Sequence, residues 1–311
     1  MTNIINSEKI AYYSPYNFLT NPRLGRQDWI QDWINELLVD VQSKQVDCFD
    51  GGHGITIYFR KLDWDTDFFG IPTFRIEYTS LPLDIPFVKV QSAFNRLFDN
   101  LSTALPEFYL FAEAPSEDTA VIAGMGGAGW RLIETRVTYF RDDLKNFNYS
   151  TRAEVRKATE SDIPELRRCA METVNNYDRF HADDFFTRSE ADNFLAIFIE
   201  NSVKGFADEV MVPANGPANA FITAKYLSSP PSLAHRKLGK MVVSAVAPQR
   251  RGWYKRLIGE MSMRFKEQGV DTGFLTTQAT NRAVIKVWAH HGYRFGRCTH
   301  IFSIYKRRRS L

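Results

Sequence analysis

Along this 311-residue chain the spacing of apolar positions switches between strand and helix periods, and the clearest switch lies near residue 247. Residues 241–247 (Met-Val-Val-Ser-Ala-Val-Ala) read as a strand, Pro248-Gln-Arg-Arg-Gly252 breaks the pattern, and helical spacing then runs from Gly252 to Gln268. Gly269 suits the helix end; a strand over 272–277, a helix over 281–290 and a strand over 293–305 are predicted beyond it. Upstream, a strand begins at Val155, and Ser161, Asp162 and Pro164 mark the start of a helix. A polar loop and helix over 179–201, an alternating segment over 207–212, a Pro/Asn/Gly-rich turn over 213–217, a strand over 219–226 and a loop through Pro230 and Pro231 follow. Strands alternating with helices predict an α/β protein.

The periodicity lapses over residues 146–152, which divides the chain into 1–150 and 151–311. Both parts end alike. Each reads helix, then Gly-aromatic-Arg (Gly129-Trp130-Arg131 and Gly292-Tyr293-Arg294), then strand, so the first part is expected to be a degenerate copy of the second. The run Gly124-Met-Gly-Gly-Ala-Gly129 has the spacing of a dinucleotide fingerprint but follows a helix and precedes a strand, the reverse of what that fingerprint needs. It reads as a flexible helix exit.

A composition of 44% hydrophobic and 24% charged residues allows a sizeable core and about two domains. Lys and Arg number 39 against 36 Asp and Glu, a balance that argues for neither nucleic acid nor a membrane as partner. No apolar run is long enough to span a bilayer and the start lacks the order of a signal peptide, so a cytoplasmic protein is expected. Cys48, Cys169 and Cys298 are scattered, as in a reducing compartment, and the adjacent His290 and His291 would point about 100° apart on a helix. No metal is predicted.

The strand-to-helix switch carries the chemistry. Amides at such a turn lack intrahelical partners and, with the helix dipole, suit a pyrophosphate; Gly252 lets a ligand approach the backbone. Arg250, Arg251, Lys255 and Arg256 add positive charge around it.

The spacing of Gln249, Gly252 and Tyr254 resembles the Gln/Arg-x-x-Gly-x-Gly/Ala motif with which the GNAT acyltransferases hold the pyrophosphate of acyl-CoA, although Tyr254 stands where that motif has a small residue. Leu62-Asp-Trp-Asp-Thr-Asp-Phe-Phe-Gly70, Arg179-Phe-His-Ala-Asp183 with Phe186, and the stretch from Thr277 to Tyr293 are similar to segments of the dTDP-fucosamine acetyltransferase type within that superfamily. The resemblance spans roughly residues 55–305.

It implies a two-domain GNAT fold with a mixed sheet and a transfer from acyl-CoA, as cosubstrate, to the amine of a nucleotide-linked amino-deoxyhexose. Ser244, Val246 and Ala247 would flank the pantetheine arm, with an amide near Val246 on the thioester carbonyl; Gln249, Arg250, Arg251, Gly252, Trp253 and Tyr254 would hold the phosphates. Asn281 and Trp288 would also face the cosubstrate, Trp288 standing where many such enzymes have a tyrosine that protonates the leaving thiolate. An indole cannot serve as that acid at neutral pH. On the acceptor side the resemblance points to Arg179, Trp64, Phe68 and Phe69, and to His181 as base with Asp183 as its orienter. A homodimer is compatible with this reading. The rival readings are a non-catalytic GNAT-like binding module, motivated by Trp288 and Tyr254, and an acyltransferase for a protein amine or a polyamine.

Overall fold

The computed structural model describes residues 9–20, 25–173, 175–229 and 236–307. Pro230 and Pro231 of the expected loop lie outside them. In chain order the elements are α1 (Ile10–Tyr13), α2 (Arg26–Gln42), β1 (Asp47–Gly52), β2 (Ile55–Lys61), α3 (Asp63–Phe69), β3 (Thr73–Ser80), α4 (Phe87–Ala104), β4 (Phe108–Pro115), α5 (Thr119–Gly127) and β5 (Arg131–Arg141). There follow β6 (Val155–Lys157), α6 (Ile163–Glu172), α7 (Arg179–Ala182), α8 (Arg188–Asn201), β7 (Glu209–Pro213), β8 (Ala220–Ser228), β9 (Lys237–Val246), α9 (Trp253–Glu267), β10 (Thr272–Gln278), α10 (Arg282–His290) and β11 (Arg294–Lys306). They form two compact units, one of Met1–Asn17, Arg26–Arg136 and Cys298–Leu311, the other of Phe18–Gly25 and Val137–Arg297.

In the first unit β1, β2 and β3 are antiparallel, β3 and β4 are parallel, and β11 pairs antiparallel with β4 from Thr299↔Pro115 to Lys306↔Phe108. A parallel pair needs a crossover, and α4 supplies it. Val90, Ala93, Phe94, Leu97 and Leu101 recur at helical spacing, which is why α4 buries one stripe against Ile57, Leu110 and Phe302. The glycine run expected as a flexible exit lies largely inside α5. A Cβ on Gly124 would stand 2.5 Å from Val90 Cγ1, and Gln91 Nε2 donates to the Gly127 carbonyl at 2.7 Å, so these glycines let α5 press onto α4.

The second unit has β6, β7, β8 and β9 antiparallel and β9 parallel to β10, with β5 beside β10. Every residue of β7 is buried, where alternation was expected. Leu257, Ile258, Met261 and Phe265 of α9 pack with Leu144, Phe147, Met241, Leu275 and Trp288; Leu166, Cys169, Ile199 and Phe221 belong to a separate cluster.

The repeated plan is visible element by element. β3–α4–β4–α5–β5 and β9–α9–β10–α10–β11 each hold a parallel pair with a helical crossover, then a second helix and a strand. Asp118 caps α5 by accepting from the Val121 amide, Asn281 caps α10 by accepting from the Val284 amide, and Gly129 and Gly292 leave those helices at φ 80° and 75°.

Candidate active site

β9 and β10 pair only from Thr272↔Leu238 to Phe274↔Lys240. β9 then continues to Val246 and β10 to Gln278 without pairing to each other, which leaves edge groups open on both strands. On its other edge β9 stays paired with β8 as far as Ala220↔Val246, with a bulge where Thr223 Oγ1 accepts from the Val243 amide at 3.0 Å. The Ala247 amide donates to the Asn219 carbonyl. Alternation along a strand therefore turns the Val246 and Ser244 amides the opposite way, to the edge that faces the gap.

At the end of β9, residues Pro248–Arg250 make one tight turn, closed by the Arg250 amide on the Ala247 carbonyl at 2.8 Å. Gly252 follows at φ 95°, with nothing within 4 Å of where a Cβ would be. It precedes α9 without any side-chain cap, so the first-turn amides of α9 are left for solvent or a ligand. Arg250 is used structurally: its Nε donates to Asn219 Oδ1 at 2.8 Å and its Nη2 to the Asn215 carbonyl at 3.1 Å. Among the described residues no carboxylate lies within 4 Å of Lys255 or Arg256. Beside them is a cavity of about 460 Å³, bounded also by Gly252, Tyr149, His290 and His291. His291 is neutral there, because burial lowers its pKa to about 4, and its Nε2 donates to the Lys255 carbonyl at 3.0 Å.

The two departures from the expected motif are bonded to each other. Trp288, 2% exposed, donates its indole N–H to the Tyr254 hydroxyl at 2.7 Å. Burial holds the Tyr254 phenol well above its ordinary pKa of 10.0. A hydroxyl thus links α9 and α10. Asn281 is occupied by its cap and by donating Nδ2 to Thr277 Oγ1 at 3.2 Å.

His181 lies in different company from that expected. Its Nδ1 is 2.8 Å from Asp178 Oδ2 and its Nε2 is 2.9 Å from Asp192 Oδ1, while Asp183 accepts from the Phe185 amide at 3.0 Å and does not orient the ring. The reason is local. Asp178 caps α7, accepting from the Phe180 and His181 amides, and this sets its carboxylate beside the imidazole. Hydrogen bonding to Asp178, against the opposing effect of burial, and then to Asp192 raises the His181 pKa. Carboxylates at both nitrogens favour the protonated imidazolium over the neutral form that a base needs. Arg179 is buried, with its guanidinium 4.3 Å from the Phe180 ring. In the first unit α3 buries none of its residues; Trp64 is 41% exposed and stacks on Phe68 at 5.5 Å, and Phe69 meets Phe68 edge-on at 4.7 Å. Asp178, Asp192 and Asn219 were not singled out from the sequence. Only Asp178, three residues before His181, carries a local signal, that of a helix cap.

Among the described residues no group of three or more His, Cys, Asp or Glu could hold a metal ion, and no helix is long and apolar enough to cross a membrane. No family model and no curated protein matches the sequence. Solved structures do. A GCN5-related N-acetyltransferase from Sphaerobacter thermophilus is similar over 80% of this chain and 76% of its own, at 12% identity and a TM-score of 0.53. A second GCN5-related N-acetyltransferase, from Kribbella flavida, is similar over 87% of this chain and 93% of its own, at 10% identity and a TM-score of 0.50. The fold is therefore that of the GCN5-related N-acetyltransferases, an α/β architecture with mixed sheet.

Proposed function

We propose that the chain is an acyl-CoA-dependent N-acyltransferase. The observation that carries this reading is the parting of β9 and β10 directly ahead of the uncapped turn at Gly252. An extended pantetheine arm could add to the open edge of β9 through the Ser244 and Val246 amides while its pyrophosphate meets the first turn of α9. The fold belongs to proteins named as N-acetyltransferases, which supports the same reading.

In the transfer the amine nitrogen bonds to the thioester carbonyl carbon and the carbon–sulfur bond breaks. The Val246 amide is the donor on offer for the charge that develops on oxygen. The amine must arrive neutral, and because the carboxylates on both sides of His181 favour its protonated form, we assign the amine's proton to water. The acceptor we assign is the amine of a dTDP-linked amino-deoxyhexose. That rests on the sequence resemblance around residues 62–70 and 179–183. A second reading, a binding module without turnover, is favoured by one observation: Tyr254, where the motif has a small residue, is bonded to Trp288, which stands where many such enzymes have a tyrosine.

Gly252→Asp places a carboxylate where a phosphate belongs and should weaken acetyl-CoA binding by well over tenfold, more than about 1.4 kcal/mol. Gly252→Ala is the control, because at φ 95° any side chain is strained, and it should lose much less. Calorimetric titration of folded protein measures both. Equal affinities for wild type and Gly252→Asp would remove the cradle, and binding without transfer to dTDP-fucosamine or another amine would favour the module.

A further inference from the structure

We propose that Asn175 is a positioning residue for the transfer, acting through Gln278 to hold residues 175–183 against the end of β10. The proposal rests on the acyl-CoA reading above, with Arg179 and Asp183 on the acceptor side, and goes beyond it to a pair of side chains that have no part in that reading.

Four side chains are joined here in one row of hydrogen bonds. Asn281 accepts from the Val284 amide through Oδ1, so its Nδ2 is the donor that meets Thr277 Oγ1 at 3.2 Å. The Thr277 hydroxyl gives its own hydrogen to Gln278 Oε1 at 3.2 Å. From the other side Asn175 donates Nδ2 to the same oxygen. The Asn175 amide is fixed in that sense, because its Oδ1 accepts from the Tyr177 amide at 3.1 Å and turning it over would lose that bond as well.

The two ends of the row belong to different parts of the second unit. Thr277 and Gln278 close β10, on the stretch beyond Phe274 that no longer pairs with β9. Asn175 opens the turn into α7, where its carbonyl accepts from the Asp178 amide at 3.2 Å, and Asp178 caps that helix. The turn and α7 are fastened in turn to α8. Asn176 Oδ1 accepts from Arg188 Nη1 at 3.4 Å, Phe180 lies 4.0 Å from Phe194, and His181 Nε2 is 2.9 Å from Asp192 Oδ1. The segment that carries Arg179 and Asp183 is thus held by α8 along its length and by Gln278 at its start.

That joint has a consequence for transfer. The amine must meet the thioester carbon in line, and an acceptor held by residues 179–183 is set against a cosubstrate on the open edges of β9 and β10 by whatever ties the two together. The Asn175–Gln278 bond is such a tie. Cutting it leaves the contacts of each substrate in place and alters only their relative position, so the loss falls on the acceptor's kcat/KM and not on acetyl-CoA affinity.

Asn175→Asp keeps the oxygen that accepts from Tyr177 and removes the donor to Gln278, while Gln278→Met removes the shared acceptor at similar size. With acetyl-CoA and dTDP-fucosamine, each should lower kcat/KM for the acceptor by about tenfold, and the double variant should lose no more than either alone. Gln278→Glu keeps an accepting oxygen and should stay within about threefold of wild type. Calorimetry should find acetyl-CoA affinity within about twofold throughout. Hydrogen exchange needs no acceptor: amides of residues 177–187 should exchange faster in Asn175→Asp and Gln278→Met than in wild type or Gln278→Glu. Unchanged exchange, unchanged kcat/KM in Asn175→Asp, additive losses in the double variant or a matching loss of acetyl-CoA affinity overturns the proposal while the acyl-CoA reading stands. A wild-type protein that binds no acetyl-CoA overturns that reading itself.

Discussion

The His181 imidazole is held at both nitrogens by carboxylates, and that environment favours its protonated form. Its folded pKa is raised above the ordinary 6.5, by Asp178 first and despite burial. The folded protein therefore binds this proton more tightly than the unfolded chain. The stability it contributes is complete below pH 6.5 and is lost as pH rises through the raised folded value. Unfolding free energies measured at about pH 5.5 and about pH 8.5 should show wild type losing stability that His181→Gln does not lose, and the variant should be less stable by roughly 1–3 kcal/mol at the lower pH. An imidazole titrating by NMR below 6.5 would contradict the assignment. From the sequence this histidine was legible as a chemically special residue, but its role was not. Asp192 lies eleven residues away on α8, and nothing in the local pattern of Arg179 to Asp183 announces that a cap residue and a helix residue will enclose the ring.

At the scale of the element, what the sequence made legible is what short-range physics decides. The β9-turn-α9 joint, the strand and helix after it, and the paired Gly-aromatic-Arg joints all follow from local period, caps and positive φ. What was missed depends on partners distant in the chain: the glycines of α5 answer to Val90 on α4, and full burial of β7 answers to packing on both sides. The two joints now make a comparison. Gly129 has φ 80° and open space where a Cβ would be, whereas a Cβ on Gly292, at φ 75°, would stand 2.5 Å from Arg141 Nη1. Arg141 donates from that nitrogen to the His291 carbonyl at 2.6 Å and is paired with Asp143. Gly129→Ala should cost only the conformational strain, about 1–2 kcal/mol. Gly292→Ala should cost about 1 kcal/mol more, since it also displaces that hydrogen bond. Urea denaturation of the two variants decides it, and equal midpoints would mean that Arg141 moves aside freely.

For the whole molecule, each unit is assembled from segments far apart in sequence. The strand after α10 is paired with β4 over residues 299–306 in the first unit, and the second unit takes in residues 137–141 of β5 beside β10. Within the second unit Phe18 lies against Phe140 and Phe274 at 5.3 and 5.1 Å, Thr138 is hydrogen-bonded to Thr276 at 2.9 Å, and Leu144 and Phe147 are buried with Leu257 and Phe265. A fragment of residues 151–311 lacks all of Phe18, Phe140, Leu144 and Phe147, each of which is at most 2% exposed. At about 1.5–3 kcal/mol per buried side chain, losing four removes an amount comparable to the whole stability of an ordinary domain, about 5–15 kcal/mol. The fragment should therefore show no cooperative thermal transition and little near-ultraviolet circular dichroism, whereas the full chain should show a cooperative transition and a strong near-ultraviolet signal. The cradle sequence is intact in it, so acetyl-CoA binding should fail together with folding. A fragment that unfolds cooperatively at the full chain's midpoint would show instead that residues 151–311 are self-sufficient and that the aromatic contacts of Phe18 and Phe140 contribute little.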